Sequence, residues 1–152
     1  MAGNAYLTYS IFEGVLTGTT NGKMWHIFAA SGGRGASKTP GVVNAGLANN
    51  PYATGVKLQT GSSGGPIPTG RYAIEKPLTN YHGKGRWAKL IPDSHNAMLH
   101  RAGFAIHGPG PRGSDGCIVP RNVAEFHELM DALEVDEGGT LYVIDTFEGG
   151  MG

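Results

Sequence analysis

Hydrophobic and polar positions along this chain mostly repeat at short, strand-like spacing. Tyr6-Leu7-Thr8-Tyr9-Ser10-Ile11-Phe12 is rich in aromatic and β-branched residues and runs out at Glu13-Gly14. Val15-Leu16-Thr17 continues as a second short strand. Thr20-Asn21-Gly22-Lys23 then carries the Asn-Gly pair favoured in a two-residue hairpin turn. Met24-Trp25-His26-Ile27-Phe28-Ala29-Ala30 follows, so an antiparallel meander is the simple expectation for this third of the chain. Residues 32–65 are dominated by Gly, Ser, Asn, Thr and Pro, and only 42–43 and 56–58 resemble strand. A loop of that length inside a compact domain is either functional or a disordered surface excursion, and the sequence leaves both open. Further strands are predicted at 71–75, 88–91, 97–100, 104–107 and 140–144.

One segment has helical spacing instead. Asn122 is a good N-cap, with Glu125 three residues on as in a capping box. Val123, Phe126, Met130 and Leu133 recur on one face and are expected to meet the core, and Gly138-Gly139 should stop the helix. The last residues, 148–152, are expected to fray. The chain shows no internal repeat or linker. The expectation is therefore a single, mainly β domain over 1–152, with one α-helix in the C-terminal half and long Gly-rich loops.

Composition sharpens this picture. The 26 glycines are dispersed without a collagen-like period, so they read as turns and close backbone approaches in a β-rich fold. Formal net charge is zero with no run of like charges, which argues against a nucleic-acid partner and against docking on an anionic membrane. No stretch approaches the roughly 18 apolar residues of a membrane span, so no membrane insertion is expected. The first ten residues lack the basic flank and apolar run of a secretory signal. A single cysteine excludes an internal disulfide and has to be judged by its neighbours.

Those neighbours carry the chemistry. Phe104-Ala105-Ile106-His107 delivers a histidine into the Gly/Pro-rich run Gly108-Pro109-Gly110-Pro111-Arg112-Gly113, and Ser114-Asp115-Gly116-Cys117-Ile118-Val119 returns with the cysteine. Residues at the two mouths of such a loop can lie side by side. Nucleophilic catalysis by cysteine needs this, because the thiolate attacks and an adjacent imidazole lowers its pKa or takes its proton. Ser114, Asp115 and Gly116 bring backbone N–H groups near the sulfur with little side-chain bulk, as an oxyanion requires.

His107-Gly108 followed by Ser114-Asp115-Gly116-Cys117-Ile118 resembles the L,D-transpeptidase signature, a His-Gly followed by Ser-x-Gly-Cys and an apolar residue. Upstream, Gly65-Pro66-Ile67-Pro68-Thr69-Gly70-Arg71-Tyr72 resembles the Pro-x-Gly-x-aromatic strand entry that precedes the catalytic half of that family. Together with the final helix and strand, the likeness spans residues 31–144 and is nearest to the small L,D-transpeptidase effectors of type VI secretion. Many L,D-transpeptidases have a second histidine two residues before the nucleophile, where this chain has Asp115.

The resemblance implies an L,D-transpeptidase-like β-sandwich or barrel. It also implies a reaction in which Cys117 attacks the third-residue carbonyl of a peptidoglycan tetrapeptide stem and expels terminal D-alanine. His107 would be the base, and the thioester would pass to water or to an amine, with no metal or organic cofactor. The lack of a secretory signal leads to the expectation of synthesis in the cytoplasm and delivery by a secretion apparatus to the periplasm of a target bacterium, and the likeness to secreted effectors allows for an immunity protein as partner.

Other residues carry two readings each. Ser114 either stabilises the turn or assists His107. Arg112 suits a stem carboxylate or is a solvated loop charge. Arg71 and Tyr72 are further substrate-binding candidates, and Arg86 and Arg101 are weaker ones. His82, His95 and His100 match no tight metal-ligand spacing. Another cell-wall cysteine peptidase or amidase is a competing function, but such enzymes generally place cysteine before histidine in the chain. A catalytically inactive peptidoglycan-binding module is the other alternative.

Overall fold

In the computed structural model, residues 3–32, 49–54, 65–108 and 116–145 are described. The expected strand-like pieces at 42–43 and 56–58, and the tail, lie outside them. Eight strands and one α-helix follow in chain order: β1 (Ala5–Ser10), β2 (Val15–Thr20), β3 (Lys23–Ser31), β4 (Gly70–Ile74), β5 (Trp87–Pro92), β6 (Ala105–His107), β7 (Ile118–Pro120), α1 (Val123–Asp136) and β8 (Gly139–Ile144). The strands close into a barrel in the order β1-β2-β3-β7-β6-β5-β4-β8.

The expected meander is present. β1 pairs antiparallel with β2, and β2 with β3 across the Thr20↔Lys23 pair. Asn21 and Gly22 between them both adopt positive φ, 50° and 70°, which is the backbone a two-residue hairpin turn needs and why Asn-Gly stands there. Closure depends on two parallel pairings: β1 with β8 from Ala5↔Gly139 to Ser10↔Ile144, and β6 with β7 at Ile106↔Ile118.

Alternation along the strands fills the interior. Leu7 and Tyr9 of β1, Ile27 of β3, Tyr72 and Ile74 of β4, Ile106, Ile118, and Leu141 and Val143 of β8 are all buried in one continuous core. The helix contributes Phe126, Leu129, Met130, Ala132 and Leu133 to the same core. At about 1.5–3 kcal/mol for each large apolar side chain, that face fixes the helix far more strongly than its intrinsic propensity. Asn122 caps it by accepting from the Glu125 N–H at 3.0 Å. Val123 is exposed rather than core-facing, because it occupies the first turn, before the buried stripe begins at Phe126.

The helix ends on Glu137 in the left-handed conformation, and the chain turns through Gly138 into β8. A Cβ on Gly138 would sit 2.0 Å from the Ile74 carbonyl oxygen, and one on Gly139 2.0 Å from that of Ala5. The two glycines therefore let β8 slide between β1 and β4. The strand expected at 97–100 is not formed. Leu99 and His100 both take positive φ, and the Arg101 N–H bonds the Met98 carbonyl at 3.0 Å, which makes this a tight turn.

Candidate active site

β6 and β7 place the histidine and the cysteine. Ile106 and Ile118 are register partners with no exposed surface, and both side chains enter the core. Side chains alternate across a sheet, so His107, one residue after Ile106, and Cys117, one residue before Ile118, lie on the opposite face of this strand pair. Both are partly exposed. The two mouths of the glycine-proline loop thus share one face, offset by two positions along a parallel strand pair rather than facing each other across a hairpin.

The imidazole is held on two sides. Its Nδ1 donates to the Gly108 carbonyl at 2.7 Å, which leaves Nε2 as the nitrogen that accepts a proton. Its ring stacks on Trp87, the register partner in β5, with centroids 4.5 Å apart and planes 5° from parallel. Burial holds the imidazole below the usual histidine range, with the Lys84 charge acting in the same direction and the Gly108 carbonyl opposing both. A neutral imidazole near pH 7 is the form a general base needs.

The nucleophile segment is pinned from beneath. The Cys117 thiol approaches the Gly103 carbonyl, with Sγ 3.9 Å from the oxygen. Gly116, at φ 127°, directs its carbonyl onto the fully buried Ser31, whose Oγ donates to it at 2.8 Å while accepting from the Ile67 N–H at 2.9 Å. A Cβ on Gly116 would come within 2.5 Å of the Phe104 ring and 2.6 Å of an Arg101 guanidinium nitrogen. Only glycine fits this corner. Arg101 is itself buried and donates to the Pro66 carbonyl at 2.7 Å and the Gly65 carbonyl at 2.9 Å. It ties the strand-entry segment to the floor of the nucleophile loop.

The other expected site residues separate clearly. Arg112, Ser114 and Asp115 lie outside the described residues, and Gly116 sits beside Cys117. Arg71 is exposed on β4 opposite Tyr142 of β8, two strands away from β6. Tyr72 has no exposed surface, and its hydroxyl donates to the Pro68 carbonyl at 2.7 Å, so it offers nothing to a substrate in this structure. Alternation explains the burial: the aromatic at the strand entry takes the inward parity and becomes core. Arg86 pairs with Asp131 at 2.8 Å and Glu134 at 3.1 Å, tethering β5 to α1. Among the described residues no group of three or more His, Cys, Asp or Glu side chains is placed to hold a metal ion.

Sequence reasoning missed Ser31, Trp87 and the structural role of Arg101. Ser31 gives no local signal, because its hydroxyl serves residues 36 and 85 positions away.

Comparison with known proteins decides the family. A family model described as the Tlde1 domain matches residues 44–142, well over half of the chain and including both His107 and Cys117. This chain belongs to the Tlde1 domain family. The crystal structure of the L,D-transpeptidase from Xylanimonas cellulosilytica DSM 15894 is similar with a TM-score of 0.49 at 17% identity, over 94% of this chain and 61% of that one. The L,D-transpeptidase (Yku) from Stackebrandtia nassauensis has a TM-score of 0.48 at 15% identity, over 98% of this chain and 58% of that one. The chain therefore spans about three fifths of the length of these two structures. Among proteins of curated function none matches it. No helix among the described residues of this Tlde1 domain is long and apolar enough to cross a membrane.

Proposed function

We propose that this Tlde1 domain is a peptidoglycan-modifying cysteine acyltransferase, an L,D-transpeptidase and L,D-carboxypeptidase. The observation that carries the reading is the placement of His107 and Cys117 on one face of the β6–β7 pair, with the imidazole tautomer set by Gly108. His107 Nε2 takes the thiol proton as Sγ attacks the carbonyl carbon of the third, diamino-acid residue of a tetrapeptide stem. The tetrahedral oxyanion is met by backbone N–H groups of the Asp115-Gly116 corner. Collapse breaks the C–N bond to terminal D-alanine, whose amine receives the proton from His107, and leaves a thioester on Cys117. Water then gives the shortened stem, and an amine gives a new amide; either restores the thiol.

Ser114 supports the loop that carries Asp115 and Gly116, and Arg112 is the cation that reads the D-alanine carboxylate. An extra residue on the stem displaces that carboxylate and leaves its charged partner unpaired. Tetrapeptide stems should therefore be cleaved and pentapeptides largely spared, and Arg112→Ala should narrow that gap; equal cleavage of both stems by the native protein removes the reading. The substrate lies outside the inner membrane, so the domain acts as an antibacterial effector exported to the periplasm of a target cell, with an immunity protein as its partner in the producer. Expression in the cytoplasm should be harmless and expression directed to the periplasm toxic. Equal toxicity from both compartments contradicts the effector role.

A further inference from the structure

The ring stack beside His107 is more elaborate than burial of an aromatic requires. Tyr81 stacks on Trp87 with centroids 5.0 Å apart and planes 28° from parallel, and Trp87 stacks in turn on His107. Tyr81 is presented by a tight turn closed by three hydrogen bonds: Tyr81 N–H to the Gly85 carbonyl at 2.9 Å, Lys84 N–H to the Tyr81 carbonyl at 2.8 Å, and Gly85 N–H to Asn80 Oδ1 at 3.0 Å. That turn holds His82 at φ 50°, a left-handed conformation that costs energy in a non-glycine residue. Trp87 is further fixed by reciprocal backbone hydrogen bonds with Leu78, at 2.8 and 3.1 Å. Tyr81 and Trp87 are thus both braced, and the inner end of the stack is the imidazole.

We propose that Trp87, backed by Tyr81, is a positioning residue for the general base, holding the His107 ring in the plane in which Nε2 serves the Cys117 thiol. This rests on the catalytic pairing proposed above. An imidazole tied only through Nδ1 to one carbonyl can still swing about that bond, whereas a flat indole at 4.5 Å leaves it one plane. The same indole covers one ring face from water. Small errors in the placement of a reacting group cost roughly a hundredfold in rate, so a ring that fixes the plane has a measurable effect. The titratable and charged groups on the elements around the imidazole are Tyr81, His82 and Lys84 of the 80–85 turn, Arg86 just before β5, Lys89 of β5, Cys117 before β7, and His127 of α1, adjacent to Phe126, which packs against Gly108.

The test needs no cell-wall substrate, so its outcome is independent of whether the muropeptide reading holds. Iodoacetamide alkylation of Cys117 is followed against pH, and the His107 titration is followed by NMR, in native protein, Trp87→Phe, Trp87→Leu and Tyr81→Leu. Trp87→Leu should alkylate roughly ten to a hundred times more slowly near pH 7, with the His107 midpoint moved up towards the ordinary value of about 6.5. Trp87→Phe keeps a flat face and should stay within about threefold of native. A folded Trp87→Leu protein with native alkylation and a native His107 titration overturns the proposal, as does a Phe variant as impaired as Leu. Should Trp87→Leu fail to fold, Tyr81→Leu decides: a several-fold slower alkylation at unchanged thermal stability supports the stack, and no change overturns it.

Discussion

Replacing Cys117 with Ala removes one sulfur from a partly exposed position and little packing. Turnover of muropeptides should vanish while the thermal transition stays within a degree or two of native, as judged by calorimetry. His107→Gln should lower acylation by roughly two to four orders of magnitude, the usual worth of positioned proton transfer. In the native protein the acid limb of kcat/KM should fall below the ordinary histidine range, because burial and Lys84 hold the imidazole deprotonated there. The folded pKa is depressed, so the unfolded chain binds more protons between the two values. Stability attributable to His107 therefore rises with pH through that window and is lost as pH falls, and His107→Gln should flatten this part of a denaturation-versus-pH curve. Gly116→Ala should lower both activity and stability, since its Cβ would strike Phe104 and Arg101. The proposed pair of His107 and Cys117 is legible as a candidate because their neighbours form a local motif. Ser31 and Arg101 are not, because their hydrogen bonds join segments distant in sequence, and only the closed barrel brings those segments together.

Among the elements, α1 gives the sharpest test. Asn122 accepts from the Glu125 N–H, so Asn122→Ala should cost about 1 kcal/mol, read as a lowered denaturation midpoint at unchanged m-value. The helix and the β2–β3 hairpin were readable because their signals are short-range: a cap, a 3.6-residue stripe, and an Asn-Gly pair at positive φ. Residues 97–100 misled for the complementary reason. Ala-Met-Leu-His has the apolar content of a strand, but its conformation is set by the turn that delivers Arg101 under the nucleophile loop. Val123 shows the limit of periodicity at a helix end, where the stripe extends one turn beyond the surface that covers it.

For the whole molecule, the parallel β1–β8 and β6–β7 pairings were beyond the sequence, since strand order depends on which edges remain after the hairpins form. Closure buries Tyr9 and Tyr72, and that burial pushes both phenols well above their ordinary range. With folded values raised, their contribution is fully present below the unfolded pKa of about 10 and is lost as pH climbs past it. The barrel should accordingly lose stability above about pH 10, and Tyr72→Phe should weaken that alkaline dependence in chemical denaturation. We propose that this barrel presents Cys117 and His107 to a peptidoglycan stem. Mass spectrometry of purified tetrapeptide muropeptides, incubated with native and Cys117→Ala protein with and without a free D-amino acid, tests it most directly. The native protein should remove terminal D-alanine or exchange it for the added amino acid, through a thioester on Cys117, with neither product from the alanine variant. Unchanged tetrapeptides in the native reaction, or the same products from Cys117→Ala, would contradict it.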